Sequence, residues 1–444
     1  MYLSRATITK IKGLRHADLS FDKDHEAGWH VLLGDNGAGK SALIRSIALA
    51  LVGPDEAAAL REDWSRWISW GESEARISLQ VHFPGDWDRR EGTGRYPRTR
   101  QLTASIELQL ADTDSTPPGQ GSRPSWGGRR AVIKAPNRGK LLPYLWGNGY
   151  GWFSSSFGPF RRFSGGSSDY ERLFYANPRV ARHLSAFSEE VALSESLTWL
   201  KTRRRDEDDG RCTTKLVPWI QRFVNDTELL PHQVTLDEIT QNELLFSDGH
   251  GVTVDVLALS DGYRSILSLT FELIRQMVVT YGEDHVFEEI QGEVVVRPPG
   301  VVLIDEVDAH LHPTWQSVVG AWFRRRFPKV QFIVATHSPL VCRAIGEHGK
   351  VFRLRAPGSM VEGDNALQEI VDIERDKLRF GSLHRALESD GFALRLSRSE
   401  EGREKVRKLA WLNREARKRE LDHDEQRLRR RLREIFSDDP VAQP

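Results

Sequence analysis

With 444 residues, of which 39% are hydrophobic and 28% charged, the chain can bury one large core or two ordinary ones. No apolar run reaches the roughly eighteen residues of a membrane span, and Met1-Tyr2-Leu3-Ser4-Arg5 lacks the apolar stretch of a secretion signal, so a cytoplasmic location is expected. Cys212 and Cys342 alone argue against a disulfide framework, and 63 basic against 63 acidic residues leave no net field to draw in nucleic acid.

In chain order, residues 2–9 and 29–33 are predicted strands. The second runs into Gly34-Asp35-Asn36-Gly37-Ala38-Gly39-Lys40-Ser41, and a helix with apolar periodicity follows through Leu43, Ile44, Ile47 and Leu51. Strand, glycine loop and helix form the context a phosphate-binding loop requires. Glycines admit backbone conformations closed to other residues, so successive N–H groups can converge on phosphate oxygens at a helix N-terminus. Lys40 is placed to reach the β- and γ-phosphates, and the Ser41 hydroxyl to hold Mg²⁺.

Trp64, Trp67 and Trp70 are spaced for one helical face and are read as packing rather than as a base-stacking platform. Residues 75–83 alternate as a strand does, with 102–110 and 130–134 as antiparallel partners. The intervening 84–100 and 111–128 read as long loops. Residues 149–166 mix glycine, serine and aromatics around Arg161-Arg162. Two readings stay open there: a loop pinned by its aromatics, or a nucleotide-sensing loop between two lobes with Arg161 or Arg162 near phosphate. Residues 170–223 read as several helices, and 243–256 as a hairpin around Ser247-Asp248-Gly249-His250-Gly251.

Leu259-Ser260-Asp261-Gly262-Tyr263-Arg264-Ser265 opens a strongly apolar helix, with Ser260 as its N-cap. Serine and glycine at a helix N-terminus also make a second phosphate-binding surface, which suggests a nucleotide held between two copies of the chain. Residues 301–304 read as a buried strand ending in Asp305-Glu306, carboxylates at the edge where parallel sheets bind ligands. The bland alternative is a core strand whose aspartate caps the next helix. A second buried strand, 330–335, ends in Thr336-His337-Ser338, where His337 is placed to sense a γ-phosphate. Residues 350–355 and 358–362 complete a small β region, and from Glu400 a charged helical stretch carries a narrow apolar stripe. A solvated helical hairpin is favoured for that stretch, with partner docking or DNA contact through 427–433 as the alternative.

The order of these motifs resembles a known family. Residues 34–41 are similar to a Walker A loop, and 259–264 to an ABC-type signature. Residues 301–306 resemble a Walker B strand with its glutamate, 307–312 a D-loop, and Thr336-His337-Ser338 a switch histidine. As a set they resemble the ABC-type ATPase head of the RecF/SMC/OLD group. The runs 305–313 and 335–340 are similar to short AAA-family ATPases of prokaryotic defence loci. The stretch 157–166 and the C-terminal tail resemble Septu-type and retron-associated ATPases, which operate with a separate HNH-type nuclease.

The resemblance implies an α/β P-loop fold with a mixed or parallel core sheet, an antiparallel β subdomain, a helical lobe and a C-terminal helical region. The expected divisions are 1–150 for the Walker A lobe, 151–258 for the connecting loop and helical insertion, 259–356 for the rest of the core, and 357–444 for partner docking. It also implies a homodimer, or an oligomer of dimers, with ATP and Mg²⁺ between the copies. Asp35, Asn36, Gly37, Ala38, Gly39, Lys40 and Ser41 of one copy would face Ser260, Asp261 and Gly262 of the other. Ser41 and Asp305 would hold the metal, Glu306 would orient or deprotonate the attacking water, His337 would contact the γ-phosphate, and Asp308 would lie along the interface. The family's usual glutamine between the lobes has no counterpart here: Gln80, Gln101 and Gln109 come earlier, and Arg161 takes that place as a candidate sensor. A regulator of a partner nuclease is the leading expectation. A RecF-like ATPase acting on DNA is the alternative, and a nuclease built on Glu362, Asp364, Asp422 and Asp424 a weaker one.

Overall fold

A six-stranded sheet carries the P-loop, the two acids and the Thr-His-Ser motif in the computed structural model. The structure describes residues 1–60, 62–85, 87–88, 100–112, 129–147, 152–166, 177–212, 214–226, 229–355, 364–392 and 400–436. Its strands in chain order begin with β1 (Tyr2–Ile11), β2 (Leu14–Ser20), β3 (Gly28–Leu33), β4 (Glu74–His82), β5 (Gln101–Asp112) and β6 (Arg129–Lys134). Next come β7 (Ser154–Phe157), β8 (Thr235–Ile239), β9 (Leu244–Ser247), β10 (Thr253–Asp255), β11 (Phe287–Ile290) and β12 (Glu293–Val296). The last four are β13 (Gly300–Ile304), β14 (Val330–Ala335), β15 (Val351–Leu354) and β16 (Leu367–Ile370). The helices used below are α1 (Lys40–Val52), α2 (Pro178–Phe187), α3 (Glu195–Asp208), α4 (Leu216–Asn225), α5 (Asp261–Tyr281), α6 (Pro313–Arg326), α7 (Asp372–Phe380), α8 (Leu383–Glu388), α9 (Glu400–Glu415) and α10 (His423–Ile435).

The main sheet runs β16-β15-β3-β14-β13-β7, parallel except at β16. Every residue of β3, β13 and β14 is buried, because helices cover both faces. The two-residue period sorts them. Leu32, Val301, Leu303, Ile333 and Ala335 pack with Leu43, Ile44 and Ile47 of α1. Trp29, Val31, Val302, Ile304, Phe332 and Val334 pack in the core that holds Phe271 of α5 and Phe323 of α6. A second sheet, β2-β1-β4-β5-β6, is antiparallel throughout and shares the core of α1. The hairpin expected at 243–256 is present as β9 and β10, its turn closed by the Asp248 carboxylate accepting from the N–H groups of His250 and Val252.

Two local readings change. Residues 154–157 form β7, not loop, beside the strand that ends in the acids. Ser154, Ser155 and Ser156 conceal the strand in the sequence, but all three are buried and bonded. Ser154 and Ser156 engage His183, and Ser155 donates to the Arg182 carbonyl and to Gln276. Trp64 and Trp67 pack on Phe187, whereas Trp70 is 82% exposed: the run that begins at Trp64 is a single 3₁₀ turn, too short to bring Trp70 round to the same face. The strand predicted at 358–362 lies outside the described residues, and β16 is the observed partner of β15. The first compact unit runs Met1–Phe392.

The second unit, Ala393–Pro444, contains α9 and α10, closed on Leu409, Leu412, Leu421 and Leu432. Asp422 caps α10 in a reciprocal capping box with Glu425, so the turn between the helices is locally encoded. Among the described residues no helix is long and apolar enough to cross a membrane.

Candidate nucleotide-binding site

Three loops leave neighbouring parallel strands at one edge of the main sheet. The P-loop follows β3, Thr336-His337-Ser338 follows β14, and Asp305-Glu306 follows β13. Backbone bonds continue past the strand ends and fix the edge. Asp305 N–H donates to the Phe157 carbonyl at 2.8 Å, Val307 N–H to Ala335 at 3.1 Å, and Thr336 N–H to Leu32 at 3.2 Å.

In the P-loop, Gly39 has φ +105°, and a Cβ there would meet Leu14 Cδ2 at 2.8 Å. Only glycine fits both the left-handed conformation and the close approach. Gly39 is also the N-cap of α1 and has no side chain to cap it, so the first-turn N–H groups stay available to an anion. Asp35, Asn36 and Gly37 are exposed, while Ala38 and Lys40 are buried. Lys40 Nζ donates to the Gly34 carbonyl at 2.7 Å and the Asp35 carbonyl at 3.2 Å. Burial holds its pKa below the usual lysine range, and Asp305, Glu306, Asp308 and Asp35 pull it back up.

Opposite the P-loop, Asp305 is 3% exposed and its Oδ1 has no hydrogen-bond partner among the described residues. A buried carboxylate oxygen left unpaired is costly, and a divalent cation shared with phosphate oxygens is the partner that suits it. The Ser41 hydroxyl, in the first turn of α1, would be the second protein ligand of such a site. Glu306, half-buried, adopts φ +47°, a left-handed conformation costing about 1–2 kcal/mol for a residue with a Cβ. Asp308 accepts a short hydrogen bond from the Thr336 hydroxyl. Gln316 of α6 donates to the Leu311 carbonyl at 2.8 Å and accepts from the Ser338 hydroxyl at 2.7 Å, tying the D-loop to the Thr-His-Ser motif. His337 is exposed at the strand tip.

Arg161 lies elsewhere than expected. Its Nε donates to Ser265 Oγ at 3.3 Å and Nη1 to the carbonyls of Gly158 and Asp305 at 2.9 and 3.1 Å. Nη2 donates to those of Glu306 and Val307 at 3.1 and 3.3 Å. These bonds occupy all of the guanidinium's N–H groups, so Arg161 faces backbone carbonyls and keeps no donor for a phosphate. Burial lowers its pKa to about 10 against the pull of Asp308, Asp305 and Glu306, and it stays a cation at neutral pH. Arg162 also serves carbonyls, those of Gly165 and Glu189.

Ser260 is the N-cap of α5 by backbone, but its exposed hydroxyl makes no capping bond. Asp261 pairs with Arg264. Gly262 packs so closely on the D-loop that a Cβ would lie 3.0 Å from the His310 carbonyl. Among the described residues no hydrogen bond joins 260–262 to 34–41 within the chain. Two groups were not foreseen from the sequence: Gln316, whose spacing carries no signal, and Thr336 as partner of Asp308. Asp364 pairs with Arg355, Asp422 is spent on its helix cap, Asp424 lies in the helix that follows, and Glu362 is outside the described residues.

The P-loop, the paired acids and the motif-bearing strand tips thus share one parallel sheet, the arrangement that the resemblance to ABC-type ATPase heads implies. Residues 156–343 match the family described as "AAA domain, putative AbiEii toxin, Type IV TA system". The chain is similar to the Septu protein PtuA of Bacillus mycoides (strain KBAB4), 24% identical over 347 residues, 78% of this chain and 39% of that protein. It is also similar to the Retron Ec83 probable ATPase of Escherichia coli, 38% identical over 101 residues, 23% of this chain and 17% of that protein. It thus spans less than half the length of these relatives. An SMC head solved bound to the C-winged helix domain of ScpA overlays with a TM-score of 0.44 at 16% identity, covering 85% of this chain and 100% of that one.

Proposed function

We propose that the chain binds and hydrolyses ATP between two copies of itself, as the regulatory ATPase of a prokaryotic antiphage complex that controls a partner nuclease. The observation that carries the ATPase reading is the buried, unpaired Asp305 Oδ1 on the sheet edge shared with the P-loop. Lys40 leaves the Gly34 and Asp35 carbonyls for the β- and γ-phosphates, and the N–H groups opening α1 take phosphate oxygens. Ser41 and Asp305 hold Mg²⁺, which when bound neutralises charge on the phosphate oxygens. Glu306 orients or deprotonates the attacking water, and His337 contacts the γ-phosphate. The Ser260 hydroxyl and the α5 N-terminus of the second copy close the site, a role its unused exposed hydroxyl suits. Positioning and electrostatics carry most of this chemistry.

The defence role draws support from the similarity to Septu and retron ATPases. An HNH-type nuclease partner is the finer part of the proposal. The test is phosphate release by the purified chain, with and without Mg²⁺, beside Lys40→Ala. Lys40→Ala is expected to weaken ATP binding roughly 10–100-fold, the loss of charge-assisted hydrogen bonds. A chain that binds no ATP would overturn the ATPase reading. Co-expression with neighbouring genes tests the partner, and failure of any nuclease to co-purify would count against the regulatory half.

A further inference from the structure

We infer that Arg161 is a positioning residue which sets the backbone of Glu306 and joins it to the helix bearing Ser260, coupling the two ATP sites of the dimer. The inference rests on the sandwich reading above. Three facts carry it. First, Arg161 grips three consecutive carbonyls, Asp305, Glu306 and Val307, with two nitrogens. The middle residue, Glu306, is in the left-handed region at φ +47°, a conformation that persists only where its surroundings over-determine it. Second, the remaining donors reach Gly158, just past β7, and Ser265, which is 1% exposed in the second turn of α5. One side chain therefore links β7, the catalytic loop and the signature helix. Third, the same helix meets the same loop again at Gly262, where a Cβ would lie 3.0 Å from the carbonyl of His310, itself at φ +64°.

The consequence follows from the geometry of a head-to-head dimer. Within one copy, Ser260 serves the partner's nucleotide, whereas Glu306 serves the copy's own. A push on α5 from the partner's γ-phosphate is transmitted by Ser265, Arg161 and Gly262 to the backbone that aims Glu306. A phosphate sensor would exchange partners between states. This arginine has none to spare.

The test compares wild type, Arg161→Lys and Ser265→Ala, measuring affinity for a fluorescent ATP analogue, kcat, KM and the steepness of turnover against ATP concentration. A lysine keeps the charge but cannot span carbonyls in opposite directions. Arg161→Lys is expected to bind nucleotide within about threefold of wild type while kcat falls roughly 10–100-fold, as for a group that orients a reacting one. Ser265→Ala removes only the link to α5. It is expected to keep its turnover at saturating ATP within about threefold and lose the steepness of the response. An Arg161→Lys chain with wild-type kcat would overturn the inference, as would a drop in nucleotide affinity equal to the drop in kcat/KM, the mark of direct phosphate contact. If Arg161→Lys does not fold, Ser265→Ala still decides, because unchanged steepness in that variant takes Arg161 out of the coupling. Absence of nucleotide binding in the wild type would instead sink the ATPase reading.

Discussion

The P-loop and the loop after β13 share one sheet edge but are held in opposite ways. The P-loop rests on itself: glycines allow its path, Lys40 bonds its own carbonyls, and the α1 N-terminus is uncapped. The catalytic loop is tied from three sides, by Arg161 below, Thr336 from β14 and Gln316 from α6. The first is built to exchange its internal bonds for a ligand's. The second is held in place by its neighbours, the preorganisation that the role proposed for Glu306 calls for.

Substitutions can break or sharpen that contrast. The largest effect is expected from Glu306→Gln, which should cut phosphate release by about 10²–10⁴-fold, the range for losing a general base, while ATP binding stays near wild type. Loss of binding in this variant would mean the two loops are not separable. Ser260→Arg should weaken ATP-driven association by at least about tenfold, read by light scattering, with single-chain ATP affinity unchanged, because bulk and charge would then sit on the closing surface. Unaltered association would count against the sandwich.

Thr336→Val probes the tied loop directly. It strands the Asp308 carboxylate, and about 1–3 kcal/mol of stability should be lost in urea unfolding without nucleotide. A neutral outcome would show that the loop is not held from β14. The smallest effect lies away from both loops. Burial lowers the His30 pKa to about 3 and that of His183 well below the usual value. Near neutral pH both are uncharged folded and unfolded, and neither contributes. As pH falls below about 6.5 the unfolded chain takes up protons the folded one refuses. Stability then declines by up to about 1.4 kcal/mol per pH unit for each histidine. His30→Asn, which can still accept from the Lys350 N–H, should flatten that decline, and an unchanged urea midpoint profile from pH 6.5 to 5 would refute it.

The sheet edge was legible because its strands are continuous apolar runs ending in charged or glycine-rich motifs, a pattern set by burial on both faces. The antiparallel sheet was legible from alternation at 75–83 and 102–110, and β4 and β5 pair as expected. What stayed hidden depends on tertiary partners. β7 is three serines and a phenylalanine, polar in sequence yet buried against His183. Arg161 is a candidate sensor in sequence because it takes the place of the family's inter-lobe glutamine, whereas its side chain bonds carbonyls 144 to 146 residues away. Long-range backbone contacts leave no local pattern to read.

The most direct test of the account is the mass of the Glu306→Gln chain in solution, with and without Mg-ATP. Mg-ATP should drive it to a stable dimer, or to a doubling of whatever assembly exists without nucleotide, and adding Ser260→Arg should abolish the change. A chain that binds Mg-ATP with its mass unchanged would contradict the shared site.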